Sequence, residues 1–239
     1  MRLPLFGEHG FLSSSVGRKQ FVAATGLCLI LFVVVHLAGN LLLFAGPDVF
    51  NAYAHKLASL RPALFVVEAG LLVIFVSHLA VTVLLVVENS KARGKTRYDV
   101  QRSQGERSLA TRLMPWTGGI ILAFVIRHLL DFTFTDPDGP CGIMPNEVHR
   151  GLYGVVFNSF RNPLNSLFYI VAMVAVGLHL SHGVQSFVQT FGFSGLAPSP
   201  KLKVACQGFG LLVGLVYSCI PIYVMVVNII TFKSGTPGP

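Results

Sequence analysis

The chain has 239 residues, 53% of them hydrophobic and only 12% charged, where soluble domains carry roughly twice that charge fraction. A mean hydropathy of +0.66 excludes an ordinary soluble fold, which could not hide so much apolar surface, and points to a lipid bilayer as partner. The net charge of +8 does not argue for nucleic acid, because the basic residues sit in loops between long apolar runs.

The start, MRLPLFGEHGFLSSSVGRK, is polar or mixed and predicts no cleavable signal peptide. Five apolar runs follow, and they predict an all-α integral membrane protein: one domain over 1–239, a bundle of five transmembrane helices at approximately 21–45, 62–87, 113–134, 163–188 and 204–231. Helices suit the bilayer because they satisfy their backbone polar groups internally. Pro62, Pro115 and Pro163 stand at or near the starts of three spans, where a missing N–H costs nothing, and Pro221 falls inside the fifth, where it predicts a kink. Of the four cysteines, Cys28, Cys206 and Cys219 lie in apolar runs as small hydrophobes, and Cys141 lies in a loop. None forms C-x-x-C or C-x-x-C-H, so zinc, a disulfide framework and covalently attached haem are not expected.

Loop charge predicts the orientation. Arg2, Arg18 and Lys19 precede the first span; Lys91, Arg93, Lys95, Arg97, Arg102, Arg107 and Arg112 follow the second; Lys201 and Lys203 follow the fourth. The opposite side holds Lys56, Arg61, Arg150, Arg161 and Lys233, with Asp131, Asp136, Asp138 and Glu147 in an acidic loop. The N-terminus and the basic loop are therefore expected in the cytoplasm and the C-terminus outside.

Five of the eight histidines lie within spans: His36, His78, His128, His179 and His182. An ionisable group inside a membrane span is costly, and one or more in each of four successive spans points to function. Depth sorts them. His36 and His128 each lie about 15 residues into spans that start inside, roughly 22 Å along the helix, and so fall in the outer half. His78 and His179 lie about as far into spans that start outside, and so fall in the inner half. Two pairs at two depths, from facing helices, is the pattern that two stacked haems b with bis-histidine ligation require. Gly39 and Gly183, three and four residues after His36 and His179, share a helix face with them and leave room for a flat macrocycle. Ordinary small-residue helix packing is the alternative for these glycines. Of the neighbours His179 and His182, the former matches the depth of His78 and is preferred as ligand. His182 would meet a haem propionate, a quinone oxygen or a backbone carbonyl.

The stretches SSSVGRKQFVAATG, HLAGNLLLFAGPDVFNAYAHKL, SHLAVTVLLVVEN, IRHLLDF and HRGLYGVVFNSFRNPLNSLFYIVAMVAVGLHLSHGVQSFVQTFG resemble the cytochrome b subunit of the two-haem, single-anchor succinate:quinone oxidoreductases and fumarate reductases. The resemblance runs from about residue 13 to the end of the fifth span. It implies a distal haem on His36 and His128, a proximal haem on His78 and His179, and a glycine four residues after the fourth-span ligand, here Gly183. It implies membrane quinone as the reacting substrate, a flavoprotein and an iron–sulfur subunit as partners, and the bacterial cytoplasmic membrane as the location. Arg18, Lys19 and Lys203 lie where cytoplasmic-side propionates would emerge. Some members use a glutamate two residues before the fourth-span ligand for a proton path. That position is Gly177 here, and their quinone-site glutamate has no clear match in AYAHKLASL, which leaves Glu68 and His55 as the quinone candidates. Two alternatives are another di-haem cytochrome b, of the hydrogenase or formate dehydrogenase kind, and a small transporter using histidines for protons or metal. The transporter would favour internal repeats or broken helices, and the chain shows no clear repeat.

Overall fold

The structure, a computed structural model, describes residues 10–92, 109–142, 151–192 and 199–234. Most of the predicted basic loop (Arg93 to Arg107), with Arg2, Glu147 and Arg150, lies outside the described residues. Among the described residues there are seven α-helices and no strand: α1 (Ser15–Asn40), α2 (Pro47–Ala58), α3 (Ala63–Ala92), α4 (Leu109–His128), α5 (Leu152–Arg161), α6 (Pro163–Thr190) and α7 (Pro200–Ser234). Five of them, α1, α3, α4, α6 and α7, are long and apolar enough to cross a membrane, which makes this a multi-pass membrane protein.

The ends differ from the sequence expectation for local reasons. α1 starts at Ser15, six residues early, because Ser14 Oγ accepts the Gly17 N–H at 3.0 Å and caps the polar first turn. α4 starts at Leu109, so Pro115 lies inside the helix rather than at its start, and α7 remains helical through Pro221. α6 begins as expected, with Pro163 in its first turn and Asn162 Oδ1 accepting the Leu164 N–H at 3.0 Å.

α2 and α5 are short helices that the run of apolar spans does not announce. α2 opens on Gly46 followed by Pro47. α5 opens on Gly151, whose φ of +90° is open to glycine without strain, and Asn51 of α2 caps it by accepting the Tyr153 N–H at 3.0 Å. They pack on each other at one end of the bundle, with Phe50, Tyr153, Phe157 and Phe160 buried against Leu43 and Val224. Burying each such aromatic stabilises the fold by roughly 1.5–3 kcal/mol relative to exposing it to water.

α6 forms the centre of the bundle. It packs most extensively on α7, and also on α4 and α1. The α6–α7 seam is close because glycines meet: a Cβ at Gly177 would lie 2.7 Å from the Gly210 carbonyl oxygen and 3.5 Å from the Gly214 Cα. α3 packs chiefly on α1, and none of its described residues is fully buried. At the end that carries the start of α1, Arg18 pairs with Glu88 of α3, which fixes α1 and α3 as antiparallel neighbours.

Candidate functional site

α1 and α4 bring His36 and His128 together. Their ring centroids are 5.8 Å apart and their planes nearly perpendicular, at 89°. Phe32 stacks on His36 at 5.3 Å, while Phe124 and Phe132 flank His128 at 5.4 and 5.2 Å. Within this apolar cage His128 Nδ1 is buried and has no hydrogen-bond partner. Such an atom costs about 1–3 kcal/mol unless another group satisfies it.

The other two histidines are held differently. His78 Nδ1 lies 3.0 Å from Thr25 Oγ1 of α1, and His179 Nδ1 lies 3.1 Å from Thr117 Oγ1 of α4. Thr117 is 4% exposed. His179 is within electrostatic range of His78 and of His182. Glycines follow both threonines and face the same rings. A Cβ on Gly26 would meet His78 Cε1 at 3.2 Å, and one on Gly118 would meet His179 Cε1 at 3.8 Å.

These contacts set the heights of the histidines. His78 is level with Thr25, eleven residues before His36; His179 is level with Thr117, eleven residues before His128. Eleven residues make three helical turns, so threonine and histidine share a face about 16 Å apart along the axis. Two different helices thus separate the tiers by the same distance. Among the described residues no three His, Cys, Asp or Glu side chains gather as a candidate metal cluster.

The remaining sequence candidates are scattered. His182 is half-buried beside His179. Arg18 is engaged by Glu88 and by the Ser13 carbonyl at 3.2 Å; Lys19 is exposed and Lys203 half-buried at the same end. Glu68 is exposed and pairs with Arg61 at 3.6 Å, and His55 is exposed on α2.

The two glycines read from the sequence as room for a macrocycle part company. A Cβ at Gly39 would overlap the Tyr53 ring of α2, so Gly39 serves helix packing, whereas Gly183 has no atom within 4 Å of its Cβ position. Asp131, predicted in an outer acidic loop, lies instead in a π-helical turn over Leu129–Thr133 that closes with Phe134 N–H donating to the Leu129 carbonyl at 3.0 Å. The turn directs its carboxylate, 13% exposed, toward α6. Asp131 Oδ2 accepts from Arg127 Nε at 2.9 Å, from Tyr169 O–H at 2.9 Å and from Asn165 Nδ2 at 3.5 Å. Thr25, Thr117 and Asp131 are the residues the sequence reading missed. The repeated Thr-Gly, eleven residues before a histidine on the first and third spans, was the available signal for the first two.

No protein family, curated protein or solved structure matches the chain.

Proposed function

We propose that this protein is a di-haem cytochrome b, the membrane anchor through which a succinate dehydrogenase or fumarate reductase exchanges electrons with membrane quinone. The observation that carries the proposal is the two-tier set of imidazoles on four spanning helices, with His36 and His128 in ring contact and His78 and His179 level with paired threonines. The residues fit haem b. The ring contact of His36 with His128 and the open space at the Gly183 Cβ position, one turn from His179, are what it would need.

His36 and His128 would hold the outer haem and His78 and His179 the inner one, and haems held so would supply one-electron transfer. The protein's part is to hold these rings, to keep water from them with Phe32, Phe124 and Phe132, and to exchange protons at the quinone. Glu68 and His55 are the sequence candidates for the last task, and Asp131, hydrogen-bonded to Tyr169 beside His128, joins them. A carboxylate at position 177 has no room, since even a Cβ there crowds Gly210. A proton path through that position is therefore not part of the proposal. The flavoprotein and iron–sulfur partners would dock on the basic end, which the charge bias assigns to the bacterial cytoplasm.

The test is a reduced-minus-oxidised spectrum of the protein purified from its own membranes, with His36→Ala, His78→Ala, His128→Ala and His179→Ala each expected to lose one of two haem signals. His182→Ala should keep both. Co-purification of a flavoprotein separates this reading from a hydrogenase or formate dehydrogenase subunit. A colourless protein, despite ample haem during expression, would refute it.

A further inference from the structure

Two threonines on different helices make the same contact to two histidines, and the direction of each hydrogen bond decides what the histidine can do. Threonine has one hydroxyl proton. Thr25 Oγ1 lies 2.8 Å from the Phe21 carbonyl and 3.1 Å from that of Val22; Thr117 Oγ1 lies 3.1 Å from both the Leu113 and Met114 carbonyls. A threonine within a helix commonly spends its proton on these preceding carbonyls. Carbonyls only accept, so with the hydroxyl proton given to them the remaining partner must donate. At Thr25 that partner is His78 Nδ1 at 3.0 Å, and at Thr117 it is His179 Nδ1 at 3.1 Å.

A neutral imidazole carries a single N–H. If Nδ1 holds it, Nε2 keeps its lone pair. We infer that Thr25 and Thr117 are positioning residues, which lock His78 and His179 in the Nδ1–H tautomer and so present each Nε2 as a metal ligand. Gly26 completes the lock at His78, because a Cβ there would crowd the ring edge, Cε1, at 3.2 Å; one on Gly118 would make only ordinary contact with His179 Cε1 at 3.8 Å. The outer pair has no such device at His128, whose Nδ1 is unpartnered. Each of α1 and α4 therefore serves both tiers. It offers its own histidine to one and, three turns away on the same face, a hydroxyl that aims the neighbouring helix's histidine in the other.

This inference rests on the functional reading above and is tested separately from it. In the complex purified from its own membranes, Thr25→Val and Thr117→Val keep the threonine shape and remove the acceptor. Partners to the far nitrogen of a metal-bound histidine raise its basicity, and their loss weakens metal binding roughly 10–100-fold. Potentiometric titration of the two haem bands should show one wave moved to higher potential, the wave that His78→Ala abolishes. The haem it represents should also be lost more readily on dilution into detergent. The second wave should stay in place, which reports an intact fold. Thr25→Ser and Thr117→Ser, which keep the hydroxyl, should titrate as wild type. If the valine variants do not accumulate, the comparison passes to alanine and serine: a shift in alanine alone supports the lock, and equal shifts in both overturn it. A wild-type protein with two haems, whose valine variants titrate unchanged, overturns the inference alone. A wild-type protein without haem overturns the functional reading instead.

Discussion

Replacing Asp131 with asparagine removes a negative charge from beside the outer histidine pair and keeps its size and an oxygen to accept from Tyr169. The Tyr169 ring stands 6.4 Å from the His128 ring, and its hydroxyl lies 2.9 Å from Asp131 Oδ2. At a separation of about 8 Å a unit charge is worth about 2 kcal/mol at an effective dielectric near 20. Arg127, with its Nε 2.9 Å from the carboxylate but half exposed, opposes this field. Allowing it to cancel half leaves about 1 kcal/mol, or roughly 40 mV for a one-electron couple. If His36 and His128 hold a haem as proposed, loss of negative charge favours its reduced form, so Asp131→Asn should raise the potential of that haem by that amount and leave the other unmoved. Tyr169→Phe, which keeps the charge, should shift it little. Redox titration followed at the haem bands measures both variants. A shift of less than about 10 mV, or a downward shift, with both haems bound, would refute the reasoning.

Two further outcomes concern stability. Gly177→Ala forces the α6–α7 seam open, because its Cβ would sit 2.7 Å from the Gly210 carbonyl; overpacking of this kind costs about 1–3 kcal/mol. Gly183→Ala on the same helix meets no protein atom within 4 Å, so in protein freed of haem it should be neutral or gain up to about 1 kcal/mol of helix preference, and thermal unfolding of that form in a mild detergent should rank the two in opposite directions from wild type. The Tyr153 phenol, 1% exposed at the α2–α5 end, is held above the ordinary tyrosine range first by burial and then by Tyr223 beside it. A raised native pKa stabilises the fold fully below the unfolded value of about 10, and that contribution is lost as pH rises beyond it. The Tm of the wild type should therefore fall from about pH 10 upward, and that of Tyr153→Phe should fall less steeply.

The spans were legible because a lipid-crossing helix is written in composition: twenty apolar residues in a row need no tertiary context to be recognised. The two depths of the histidines were legible for a related reason, since a span's length and direction convert residue number into height. What composition does not carry is the company a side chain keeps. Gly39 shares a helix face with His36, yet the residue against it is Tyr53 of α2, a helix too short to stand out among the spans. The signs of α2 and α5 were present in Gly46-Pro47 and in the spacing of Tyr153, Val156, Phe157 and Phe160, but these weak signals become helices only when the bundle end covers them. Thr25 and Thr117 read as ordinary small polar residues until the neighbouring helices bring His78 and His179 against them. Asp131 was grouped by charge with the acidic residues that follow the span, while the backbone around it continues for one wider helical turn.

That wider turn uncouples two groups that sequence places side by side. Deleting Leu129 or Leu130 would let α4 continue in ordinary register, turn the carboxylate roughly 100° around the axis and part it from Tyr169. His128 lies before the turn and would keep its own direction. The imidazole and the acid beneath it can therefore be re-aimed independently, by insertions or deletions within a single pitch of helix, without rebuilding the bundle that holds them.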